Sequence, residues 1–132
     1  MEMSKAFDLA VVVDDDQDIL LAARLTLQSL FGEILCFTAP EDAIATIEAR
    51  SPDVILLDAN FARGATDAAE GFHWLERILG FDPEAVVVLI TAHAGVGIAV
   101  ETMKRGATDF VSKPWSNDRL LATVATAARL RA

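Results

Sequence analysis

The chain has 132 residues, enough for one domain spanning 1–132 with a single core, and 53 % of them are hydrophobic. Twenty acidic residues against eleven basic ones give a net charge of −9. This argues against direct nucleic-acid binding, because phosphate backbones are gripped by basic faces. One cysteine excludes an internal disulfide. No apolar run approaches the roughly 18 residues of a membrane span, and the start MEMSKAFD is too acidic for a signal peptide, so a cytoplasmic domain is expected.

Residues 9–13 form the first apolar run. VVVDDDQD then sets three β-branched residues against Asp14, Asp15, Asp16 and Asp18. Packed like charges need a cation or donors to offset them. Asp16 suits an N-cap, and Asp18 suits the positive end of a helix expected over 18–31, where Ile19, Ala23, Leu27, Leu30 and Phe31 recur at helical spacing. The excess of carboxylate is compatible with a divalent cation or a basic partner. Gly32 turns the chain into a strand over 33–38, with Cys36 as a packing residue. Thr38-Ala39-Pro40-Glu41 has the form of a capping box and predicts a helix over 39–50. A strand over 54–57, a helix over 71–79 and a strand over 86–90 come next. The last elements are a glycine-diluted helix over 94–105, a strand over 109–112 and a helix from 117 to about 131, capped by Ser116.

Five alternations of strand and helix, with near-continuous Val/Ile/Leu strands, predict an α/β fold: a doubly wound five-stranded parallel sheet with helices on both faces. Such sheets place their sites at the carboxyl ends of the strands. Those ends carry Asp14 and Asp15 after strand one, Asp58 after strand three, Thr91 after strand four and Lys113 after strand five. Three carboxylates offer hard oxygen ligands suited to Mg²⁺ shared with a phosphate. The hydroxyl and ammonium can bind phosphoryl oxygens. The pocket suits phosphoryl chemistry.

These motifs, with Thr91-Ala92, Lys113-Pro114 and Phe110 three positions before Lys113, give the chain a resemblance to receiver domains of two-component response regulators. The run ITAHAGVGIAVETMKRGATDFVSKPW is similar to receivers of NtrC-type transcriptional regulators. The resemblance implies a flavodoxin-like strand order 2-1-3-4-5. It implies Asp58 as acceptor of a phosphoryl group from a sensor histidine kinase. Mg²⁺ would be held by Asp14 (through a water), Asp15, Asp58 and the carbonyl of Asn60. Thr91 and Lys113 would bind the phosphoryl group, with Thr91 and Phe110 as the switch. Such a domain is no separate enzyme but catalyses its own phosphorylation and dephosphorylation. The helix 4/strand 5/helix 5 face would be altered and is the expected homodimer surface. An output domain, transcriptional in this class, would lie outside this segment.

The chain departs from the family pattern after Asp58. ANFARGATDAAEG has Phe61-Ala62 in place of Met-Pro, and Gly71 stands thirteen positions after Asp58, so the loop is about five residues longer. It is expected to be a surface segment, either a tolerated insertion or a flap over Asp58. Trp115 is expected to cover the sheet edge. His73 and His93 lack metal-ligand spacing, although His93 lies near the pocket mouth. Gly95-Val96-Gly97 is not a dinucleotide fingerprint. Two other functions are open at this point. Asp14-Asp15-Asp16 contains the Asp-x-Asp of a Mg-dependent phosphohydrolase using Asp14, and a receiver-like interaction module need not be phosphorylated at all.

Overall fold

The computed structural model describes residues 5–59, 69–92 and 96–131. Asn60, His93 and most of the long loop lie outside the described residues. In chain order the elements are β1 (Phe7–Val13), α1 (Gln17–Leu27), β2 (Phe31–Phe37), α2 (Pro40–Arg50) and β3 (Val54–Asp58), then α3 (Ala69–Phe81), β4 (Val87–Thr91), α4 (Val96–Lys104), β5 (Asp109–Ser112) and α5 (Asn117–Ala128). The strands form one parallel sheet in the order β2-β1-β3-β4-β5.

Successive strand side chains point to opposite faces, so each central strand feeds two cores. Ala10, Val12, Val54, Leu56, Val88 and Ile90 pack with Leu20, Ala23 and Leu27 of α1 and Leu120 and Val124 of α5. Leu9, Val11, Val13, Ile55, Leu57 and Leu89 pack with Ala43, Ile44 and Ile47 of α2 and Phe72, Leu75 and Ile78 of α3. Helices therefore cover both faces, which is why these strands read as unbroken apolar runs. Trp115 packs against the α1/α5 core. Cys36, in edge strand β2, is only half-buried.

Four local expectations are corrected. The first helix stops at Leu27, because Gln28 is its C-cap and Leu30 N–H bonds back to Leu27 O at 2.9 Å. Phe31 opens β2 instead, its ring centroid 5.3 Å from that of Phe7. Its apolar spacing reflects strand burial, and Gly32 lies inside the strand rather than in a turn. Leu20, not Ile19, is the buried residue of the first turn of α1. The Thr38 capping box does not form. Ala39 is the N-cap without a side-chain bond, and Pro40 begins the helix. Proline at N1 sets φ and has no N–H to be capped, which shifts the start one residue past the box register.

Other boundaries move by one to three residues. The strand ends reach Asp58 and Thr91, and α3 runs two residues further at both ends than its apolar period suggested. The last helix stops at Ala128, and α4 begins at Val96. Asp16 caps α1 through its carboxylate, which accepts from Asp18 N–H at 2.9 Å, and Ser116 caps α5 by accepting from Arg119 N–H at 3.2 Å.

Helix α4 is the least embedded element. Thr102 is its one buried residue. Its C-terminal end is tied to α3 by Arg105, which pairs with Glu76 and Glu101 and lies 4.6 Å over the Phe72 ring. Leu89→Ala, in the central β4 where Leu89 is 1 % exposed, is expected to cost about 2–5 kcal/mol in urea melts. Leu130→Ala, at a position 72 % exposed, is expected to stay within about 0.5 kcal/mol.

Candidate functional site: a carboxylate cluster at the strand ends

Strand geometry delivers the acidic residues to one place. β1 and β3 are neighbours, with Val13 opposite Leu57, so the residues directly after them emerge together. One carboxylate oxygen from each of Asp14, Asp15 and Asp58 lies within 4.8 Å of the others. Asp14 is 0 % exposed and Asp58 3 % exposed, whereas Asp15 faces solvent. Two negative groups are therefore buried at the end of an apolar sheet, where an uncompensated charge is costly.

Lys113 supplies the compensation. It comes directly after β5, and its N–H bonds to Thr91 O at 2.8 Å, so the β4–β5 ladder fixes where the lysine leaves the sheet. Its Nζ lies 2.7 Å from Asp14 Oδ2 and donates to Asp58 Oδ1 at 3.2 Å. Asp14 is further held by its Oδ1, which accepts from Asp16 N–H at 2.9 Å, and by its own N–H, which donates to Phe37 O at 3.1 Å. Thr91 ends β4 and is buried, flanked by β3 and β5. Phe110, opposite Leu89 in β5, is half-buried against the α2/α3 core.

The electrostatics record an unfinished balance. Burial pushes the Asp14 carboxyl above its ordinary value, a rise that the Lys113 ammonium and the Asp16 amide oppose without cancelling, and to which the Asp15 charge adds. Burial works to lower Lys113, but the Asp14 and Asp58 carboxylates outweigh it and hold the ammonium above the usual lysine value. Asp14 Oδ2 meets the Lys113 ammonium as an ion pair at 2.7 Å, but that same ammonium also serves Asp58, so one cation stands against three clustered carboxylates. Three carboxylate oxygens within 4.8 Å of one another, balanced by a single ammonium, fit a hard divalent cation.

The structure thus brings together Asp14, Asp15, Asp58 and Lys113, with Thr91 on the intervening strand. The two backbone partners, the Phe37 carbonyl beside Asp14 and Gly71 beside Ala59, were not identifiable from residue type.

Residues 10–125 match the response regulator receiver domain family. The chain belongs to that family. This receiver domain is 35 % identical over 118 residues to the regulatory protein LuxO of Vibrio cholerae, covering 89 % of the chain and 25 % of LuxO. It is 28 % identical over 120 residues to the C4-dicarboxylate transport transcriptional regulatory protein DctD of Rhizobium meliloti, covering 91 % of the chain and 25 % of DctD. The chain spans about a quarter of the length of these curated relatives. Among solved structures it resembles the N-terminal signal receiver domain of a two-component response regulator from Bacteroides fragilis, with TM-score 0.80, 36 % identity, and 92 % and 97 % of the two chains covered. The receiver domain of NtrX from Brucella abortus gives TM-score 0.79 at 32 % identity, covering 91 % and 98 %. Receiver domains are not separate enzymes. They work with sensor kinases and generally bind Mg²⁺ at an acidic pocket, and Asp14, Asp15 and Asp58 form an acidic cluster whose carboxylate oxygens could hold such an ion. No helix among the described residues is long and apolar enough to cross a membrane.

The raised Asp14 value carries a signed prediction. A carboxyl raised on folding favours the folded state only while protonated. That contribution is full below the ordinary Asp value of about 4 and is lost as pH rises through the folded value. At neutral pH the ionised Asp14 therefore destabilises the metal-free domain. Asp14→Asn is expected to raise its melting temperature at pH 7, with the advantage shrinking toward pH 3. Thermal melts across that range check this.

Proposed function

We propose that this receiver domain takes a phosphoryl group onto Asp58 from the phosphohistidine of a sensor kinase. The observation that supports this best is the bridging of two buried carboxylates, Asp14 and Asp58, by the single ammonium of Lys113. An Asp58 oxygen attacks phosphorus, the P–N bond breaks, and its electrons return to the leaving imidazole, so the group moves without an added oxidant or reductant. Asp14, Asp15, Asp58 and the carbonyl of Asn60 are the proposed Mg²⁺ ligands, with Asp14 acting through a water. When bound, the cation supplies positive charge to the transferring oxygens.

The chain's own residues do the rest. Lys113 holds Asp58 in place and meets the developing charge on the phosphoryl oxygens, and the buried Thr91 donates its hydroxyl to one of them. Phosphorylation turns one negative charge on Asp58 into about two and adds acceptors. Thr91 is drawn toward them, Phe110 rotates into the space vacated, and the α4/β5/α5 face changes. That face presents Val96, Val100 and Met103, one turn apart along α4 and each exposed, which supports its use for a second copy or an output domain. A related receiver, from NtrC4, has been described as a beryllofluoride-activated dimer; it has TM-score 0.80 and 28 % identity to this chain, with 94 % and 98 % of the two chains covered. The proposed readout is transcriptional, through a domain beyond this segment.

The test is incubation with Mg²⁺ and acetyl phosphate, and then intact and peptide mass. A single alkali-labile phosphoryl adduct on Asp58, absent in Asp58→Ala, is expected. Lys113→Ala is expected to slow its formation by about 10²-fold. An adduct on Asp14 with rapid turnover would identify a phosphohydrolase instead, and no adduct an unphosphorylated interaction module.

A further inference from the structure

Gly71 stands in the first turn of α3, where helix N–H groups have no partner within the helix. Its N–H donates to Ala59 O at 2.8 Å. Ala59 is the residue directly after Asp58, is 1 % exposed, and donates its own N–H to Ile90 O at 2.8 Å. The backbone leaving Asp58 is thus gripped on both sides: by the β4 residue before Thr91 and by the start of α3.

The approach is closer than any side chain tolerates. A Cβ on Gly71 would lie 2.6 Å from Ala59 Cα and 2.8 Å from Ala59 O. Both are backbone atoms, so neither can rotate away. The other α3 glycine, Gly80, would place a Cβ with nothing within 4 Å. The same helix therefore carries one glycine that its contacts require and one that they do not.

We infer that Gly71 is a positioning residue for the Asp58 site. By letting the α3 backbone close onto Ala59, it fixes the direction in which the chain leaves Asp58. It thereby sets the angle of the Asp58 carboxylate against Asp14 and Lys113. The inference rests on the reading of Asp58 as phosphoacceptor and deepens it. An added methyl fits only if Ala59 or the start of α3 shifts, and a shift of Ala59 carries the adjoining Asp58 with it. Displacements of about 1 Å at a reacting group can cost about 10²-fold in rate.

The experiment compares wild type, Gly71→Ala, Gly80→Ala and the double variant under conditions where circular dichroism shows each to be folded. Three readouts are taken: Mg²⁺ affinity by intrinsic tryptophan fluorescence, the Asp58 adduct rate with acetyl phosphate, and the amide resonances of residues 59, 71 and 80 during a Mg²⁺ titration. Gly71→Ala is expected to weaken Mg²⁺ binding and slow phosphorylation, each by at least about tenfold. Gly80→Ala is expected to match wild type, and the double variant to behave as Gly71→Ala. In wild type the Gly71 amide is expected to shift with Mg²⁺ while that of Gly80 stays. Wild-type affinity and rate in folded Gly71→Ala would overturn the inference. If Gly71→Ala and the double variant do not fold, the wild-type titration decides: a Gly71 amide unmoved by Mg²⁺ overturns the inference, and a shifted one supports it. Absence of any adduct in wild type refutes the phosphoacceptor reading instead, and the affinity comparison and resonances still decide the positioning role.

Discussion

Among the described residues, Lys113 is the cation that bridges the two buried carboxylates at the sheet's end, 2.7 Å from Asp14 and 3.2 Å from Asp58. Burying a charge is tolerable only when it is paired and well hydrogen-bonded. Here the pairing is incomplete: one ammonium serves both buried carboxylates, and the exposed Asp15 carboxylate adds repulsion beside Asp14. The sheet meets this cost with its two apolar cores, which hold β1, β3, β4 and β5 in register whatever the charges prefer. Strain of this kind, kept in place by packing elsewhere, is a recurring way to make a site ready for a cation or a new charge.

The surrounding backbone keeps the cluster compact. The Asp14 N–H is anchored to β2 through Phe37 O, Lys113 to β4 through Thr91 O, and the residue after Asp58 to both β4 and α3. Against this rigid frame α4 stands out, with a single buried residue and a polar clamp at its C-terminal end. Exposed ion pairs contribute little to stability. In the proposed switch, α4 is thus the element that a change at Thr91 has least energy to overcome in moving.

Much of this was legible because a parallel sheet covered on both faces writes itself as apolar runs, each ending where the chemistry begins. Asp14, Asp15, Asp58, Thr91 and Lys113 each stand at or just beyond the end of such a run, and the structure sets them on the matching strand ends. Local signals failed where tertiary contacts overrode them. Phe31 kept helical spacing yet packs on Phe7 in a strand, and the Thr38 box lost to Pro40 at N1. Gly71 could be seen only as a glycine displaced from the family spacing. That its missing side chain admits Ala59 depends on α3 folding back against β3, which no local pattern records.

On the proposed function, the charge imbalance of the strand-end cluster is completed by a divalent cation. The most direct measurement is the urea midpoint of the unphosphorylated domain at pH 7 in rising MgCl₂, against NaCl of equal ionic strength. Specific binding to the folded state stabilises by about 2.7 kcal/mol at a hundred times the dissociation constant. With a cation-completed cluster, the midpoint climbs steadily with the logarithm of Mg²⁺ concentration and far exceeds the NaCl series. Superimposable Mg²⁺ and Na⁺ curves would contradict that completion.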